Sequence, residues 1–145
     1  MRKRIDLEYI FSSSVTILFS RLSSAPGLAE WFSDDVKHDG NIFTFVWDGI
    51  GEEAELVDMK KNSYVRFKWL DADDEEEFFE LYTGDWDALG DAVNEEEFFE
   101  FSLHVEPLTE EVALIITDFV DADEEGDAIE LWNKQVEMLH RTVGG

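Results

Sequence analysis

The chain has 145 residues, 14% of them aromatic, no cysteine, and 36 acidic against 11 basic side chains, for a formal charge of -25 at pH 7. Length and ring content give one domain with a real core and exclude a disordered chain, while the missing thiols exclude disulfides and cysteine-based metal sites. No apolar run reaches the ~20 residues of a membrane span, and the charge argues against nucleic acid and anionic membranes, which demand Lys and Arg.

The charge itself reads as plain solubility or as the mark of a basic protein partner. The start, Met1-Arg2-Lys3-Arg4, is basic, but Asp6 and Glu8 interrupt the apolar residues after it, so it is not a signal peptide. The expected location is the cytoplasm.

Ile5, Leu7, Tyr9 and Phe11 alternate with Arg4, Asp6, Glu8 and Ile10, the period of a strand with one buried face. Ser12-Ser13-Ser14 offers caps for a helix carrying Val15, Leu18, Phe19 and Leu22. Pro26 suits the first turn of a second short helix, expected to carry Leu28, Trp31 and Phe32. Strands come next: Phe43, Phe45 and Trp47 on one face, a turn at Gly49 and Gly51, then a weak strand from Glu53 to Val57. Val65, Phe67 and Trp69 alternate after that, and later Phe99, Phe101, Leu103 and Val105. Val112 to Phe119 is the last strand, apolar on both sides and rich in β-branched residues.

The chain closes on a long helix, Glu124 to Val143. Ile129, Trp132, Val136, Leu139 and Val143 form one stripe at spacings of three and four, and Leu131 and Met138 flank and widen it. Asp121 or Asp123 is placed to cap its start, and Gly144 to stop it. Such a stripe has to be buried against something, and the strands supply the sheet.

Residues 71–100 depart from this regularity. They hold fourteen of the acidic residues and no Lys, Arg or His. Glu-Glu-Glu-Phe-Phe-Glu occurs at Glu75–Glu80 and again at Glu95–Glu100; the second copy runs into Phe101 and Leu103 and is expected to be the strand proper. Trp86, Leu89 and Val93 between the copies suit a short helix. The stretch at about 71–95 reads as an acidic insertion in a single domain, 1–145.

No nucleotide-binding loop, nucleophile elbow or zinc-protease motif is present. His38, His104 and His140 have no metal-ligand spacing. Asp121 to Asp127 begins like a calcium loop, but its twelfth position is Trp132, on the buried stripe. No catalytic constellation, metal or cofactor is therefore expected, and an enzyme is the less favoured reading.

The large rings are another matter. Trp31, Phe32, Phe45, Trp47, Phe67, Trp69, Phe101 and Trp132, with Val136, all fall on expected inward faces. They exceed what a thin helix–sheet layer needs, so an apolar cavity between helix and sheet is expected, lined by these nine side chains and gated by Trp31 and Phe32. A small uncharged apolar molecule would suit it, since Arg66 is the only candidate for an inward cation.

Two segments, Pro26-Gly27-Leu28-Ala29-Glu30-Trp31-Phe32-Ser33-Asp34-Asp35-Val36 and Phe43-Thr44-Phe45-Val46-Trp47-Asp48-Gly49, resemble the START-like, or Bet v 1-like, helix-grip superfamily, and within it the domains related to the activator of Hsp90 ATPase. Trp69, Leu114–Phe119 and Leu131-Trp132 also match that pattern. The resemblance implies an α+β fold, a curved antiparallel sheet of six or seven strands around a C-terminal helix. It implies a carrier or sensor of a hydrophobic molecule, a protein-interaction module like the Hsp90 activator, or a cyclase-type enzyme.

Overall fold

A computed structural model describes residues 2–70 and 98–144. Strand β1 (Arg2–Phe11) leads into helices α1 (Val15–Ser23) and α2 (Ala25–Leu28). Strands β2 (Asp35–Asp39), β3 (Ile42–Trp47), β4 (Ile50–Lys60), β5 (Tyr64–Leu70), β6 (Phe99–Val105) and β7 (Val112–Asp121) come after them. A single 3-10 turn, Ala122–Glu124, then opens helix α3 (Glu125–Val143). The seven strands form one curved antiparallel sheet in the order β1-β7-β6-β5-β4-β3-β2. The architecture is the expected α+β helix grip.

Local chemistry explains most boundaries. Ser14 Oγ accepts from the Ile17 N–H and caps α1, and Ser24 Oγ accepts from the Gly27 N–H and caps α2. Asp48 and Gly49 both take positive φ, as a two-residue hairpin turn requires, and Trp47 pairs with Ile50 across it. Gly51, expected in that turn, already lies in β4. Gly144 ends α3 in the left-handed conformation, its N–H bonded to the His140 carbonyl.

Four expectations need correction, and strand β2 has no counterpart among the expected elements. Strand β2 carries one buried apolar residue, Val36, so it shows no alternation; its place is set by pairing of Asp35–Asp39 with Ile42–Val46. Strand β4 is twice as long as the segment 53–57, because a bulge between Leu56 and Asp58 breaks its period. Helix α2 stops at Leu28, leaving Trp31 and Phe32 in the turn beyond it. Neither Asp121 nor Asp123 caps α3 through its side chain; the N-cap position is Glu124. Arg66 points away from the core and pairs with Glu100 at 2.9 Å, its guanidinium over the Phe98 ring.

The core lies on the concave face. Trp132, Val136 and Leu139 of α3 are buried there, over Phe45, Val65, Phe67, Phe99, Phe101, Leu114 and Ile116, while Ile129 and Val143 pack at its margin. Burying each of these large side chains stabilises the fold by roughly 1.5–3 kcal/mol before entropy is counted. The second acidic hexapeptide does enter the sheet: Phe99 and Glu100 open β6, with Phe99 facing in. The first copy and the helix expected at Trp86 to Val93 lie outside the described residues.

Candidate functional site

The site grows from the α1–α2 corner. Gly27 lets α2 lie directly on α1; a Cβ there would collide with the Ser20 carbonyl oxygen and sit 2.7 Å from Arg21 Cα. The turn after α2 is tied back by Phe32 N–H to the Leu28 carbonyl at 2.8 Å. Trp31 Nε1 donates to the Arg21 carbonyl at 2.8 Å, and Arg21 Nε lies 2.7 Å from the Glu30 carboxylate, a close ion pair rather than an aligned hydrogen bond. This wiring drives the Phe32 ring into the sheet.

Phe32 therefore sits at the centre of the rings rather than at a mouth. Its ring centroid lies between 5.0 and 5.9 Å from those of Trp31, Phe45, Trp47, Phe99, Phe101 and Trp132. Phe67 joins through Phe45 and Phe99, and Trp69 stands 4.8 Å from Phe99. Val136 is buried in the same core. Eight of the nine nominated side chains are thus brought into or against one core, and their rings touch one another between helix and sheet. Trp69 is the outlier, on the inward face but 36% exposed.

Phe99 is missing from the nine expected side chains, although its alternation with Phe101 and Leu103 marks it. Leu131 and Met138 are not where the stripe places them. These do not widen the buried stripe of α3: they are 58% and 43% exposed and stand with Gln135 on a second line of the helix. Between that line and the turn after α2 runs an open cleft of about 350 Å³, walled by Trp31, Phe32, Trp47, Leu131, Gln135 and Met138. Gln135 carried no signal in the sequence, being a polar residue at the boundary of two faces.

Polar groups fix the floor of this cleft. The Phe32 carbonyl accepts from Trp47 Nε1 and from Gln135 Nε2, each at 2.9 Å, so one backbone atom locks the turn to both β3 and α3. Trp132 Nε1 donates to Asp118 at 3.0 Å, and Tyr9 donates to Asn133 at 2.6 Å, with burial pushing the Tyr9 hydroxyl pKa up. At the Trp47 end Asp34 lines the cleft. Asp34 accepts from the Asp48 N–H, and Asp35 from the Val36 N–H, each at 2.9 Å. Among the described residues, none of Asp34, Asp35 and Asp48 has a Lys or Arg in an ion pair.

Among the described residues of the cleft none has the form of a nucleophile beside a base. His38, His104 and His140 stand on β2, β6 and α3, the last stacked on Phe11 at 3.8 Å. Among the described residues no group of three metal-ligating side chains stands together, and no helix is long and apolar enough to cross a membrane.

A helix gripped by a seven-stranded antiparallel sheet, with two short helices after the first strand, defines a START-like class of domain. The chain belongs to the START-like superfamily: that domain model matches residues 1–94 and 86–145, in two overlapping stretches. A Bacteroides fragilis protein solved by solution NMR is 36% identical, with 97% of this chain and 90% of that one aligned at a TM-score of 0.60. The Aha1 dimer of Colwellia psychrerythraea shares the fold at 13% identity, covering 97% of this chain and 96% of its own, TM-score 0.71. A conserved Enterococcus faecalis protein of unknown function does so at 15% identity, covering 98% of this chain and 71% of its own, TM-score 0.65. Among curated proteins there is no match.

Proposed function

We propose that this chain is a non-catalytic protein-interaction module whose docking surface is the cleft between α3 and the turn after α2. One observation carries the reading. The rings that a small-molecule carrier would leave apart meet one another around Phe32, whereas Leu131 and Met138, two large apolar side chains on the outer side of α3, stand in solvent beside a cleft walled by Trp31, Phe32 and Trp47. Exposed apolar surface rimmed by polar groups is a common mark of an interaction site. The fold shared with Aha1 is compatible with this reading and does not specify a partner.

The test places a photo-crosslinking residue at position 131, at position 138 and, on the opposite face of the sheet, at Ser102, in cells of the source organism. The same protein should be captured from 131 and 138 and not from 102. In purified form it should then bind saturably at one-to-one stoichiometry, and Leu131→Ser should abolish that binding. Binding that survives Leu131→Ser would overturn the reading. So would native mass spectrometry showing a retained small molecule that Trp132→Ala releases, which would restore an interior carrier site.

A further inference from the structure

We infer that the occupant of the cleft is a basic amphipathic helical segment of a partner protein. The inference rests on the docking reading above and adds the chemistry of what docks. Leu131 and Met138 are seven residues apart on α3, two turns or about 10.5 Å along the helix axis. A second helix laid against them presents apolar side chains at the same interval, which is how amphipathic helices fill grooves. The indole rings of Trp31 and Trp47 supply the facing wall.

Charge selects among such helices. At one end of the cleft Asp34 lines the wall; Asp48 is bonded to it through its backbone N–H, and Asp35 follows it in the chain, exposed at the start of β2. The Asp34 and Asp35 carboxylates accept from backbone N–H groups, and all three lack cationic partners among the described residues. The ion pair on the rim, Arg21 with Glu30, adds no net charge. An acidic or neutral helix would leave those three carboxylates facing like charge or losing water without return. Lys or Arg at the matching end of the partner helix would meet them, and the field of a chain carrying -25 would speed its approach.

The probes are three synthetic peptides, read by the intrinsic tryptophan fluorescence and by the backbone amide shifts of the intact protein, those of Trp31, Trp47, Leu131 and Met138 above all. One has leucines at i and i+7 with lysines at one end; the second keeps the leucines and carries glutamates; the third keeps the lysines and has serines for leucines. The first should bind saturably, and the other two at least tenfold more weakly. Asp34→Asn, Asp35→Asn and Asp48→Asn together keep the side-chain acceptors but remove the charge; they should weaken the first peptide about tenfold and flatten its salt dependence. Equal binding of the lysine and glutamate peptides would overturn the inference. Binding of the lysine–serine peptide as tight as the first, unaffected by Met138→Ser, would do so too, by showing diffuse charge attraction. If no peptide binds while capture at 131 and 138 persists, the inference falls and the docking reading stands. If capture also fails, both fall.

Discussion

Two faces of one helix behave oppositely. On one, Trp132, Val136 and Leu139 are sealed into a ring cluster with almost no exposure; on the other, Leu131 and Met138 border an open cleft. The two regions share Phe32, whose ring closes the first and whose carbonyl braces the second. Hydrophobicity alone does not separate them, since both faces carry large apolar side chains. What separates them is whether the chain supplies its own partner. The corner of α1 and α2 delivers Phe32 to one face and stops short of the other, so the second face stays open to solvent.

The comparison breaks most readily at Phe32. Phe32→Ala would empty the centre of the cluster and should destabilise the fold by about 3–5 kcal/mol, measured by urea unfolding. A loss under about 1 kcal/mol would mean that the rings collapse inward and the cluster does not depend on its central member. Gly27→Ala acts on the delivery of that ring. Its Cβ meets backbone rather than a flexible side chain, so α2 has to move off α1 at a cost of about 1–3 kcal/mol. An unchanged unfolding midpoint would show that the corner has slack.

Trp132→Phe keeps a ring in the cluster and removes the hydrogen bond to Asp118. The expected loss is about 1.5 kcal/mol, the size of one bond to a charged acceptor. If it equals the loss for Phe32→Ala, indole volume rather than the bond is what matters. Leu131→Ser and Met138→Ser should change stability by no more than about 0.5 kcal/mol each, while changing the surface available to a partner. A loss of several kcal/mol from either would place it in the core and erase the contrast between the two faces.

How much of this was legible in the sequence depends on how each element earns its place. Helix α3 was legible because burial of one stripe repeats at helical spacing, and β1, β3, β5 and β6 because theirs alternates. Strand β2 was not, because its evidence is a row of backbone hydrogen bonds and only Val36 reports it. The nine nominated side chains were legible as inward-facing. Their contact with one another was not, because ring packing depends on where the α1–α2 corner points, and Gly27 sets that by a clearance no pattern displays. The cleft escaped for a related reason: Leu131 and Met138 differ from the buried stripe by one position each, less than the width a stripe reading resolves.

One edge of the sheet is made by the pairing of β1 with β7, from Arg2 against Asp121 to Phe11 against Val112. It is fastened again where Thr117 donates to Asp6, a bond that lowers the Asp6 pKa. During synthesis this has a consequence in time. At 5–20 residues per second, the roughly one hundred residues between the two strands take about 5–20 s to emerge. Throughout that interval β1 waits for β7, its neighbour in the sheet. A long strand with Ile5, Leu7, Tyr9, Ile10 and Phe11 and no pairing partner would be a hazard on a crowded ribosome. Arg2, Lys3, Arg4, Asp6 and Glu8 are charges of both signs spread along it, and they keep the nascent strand in solvent until its partner arrives.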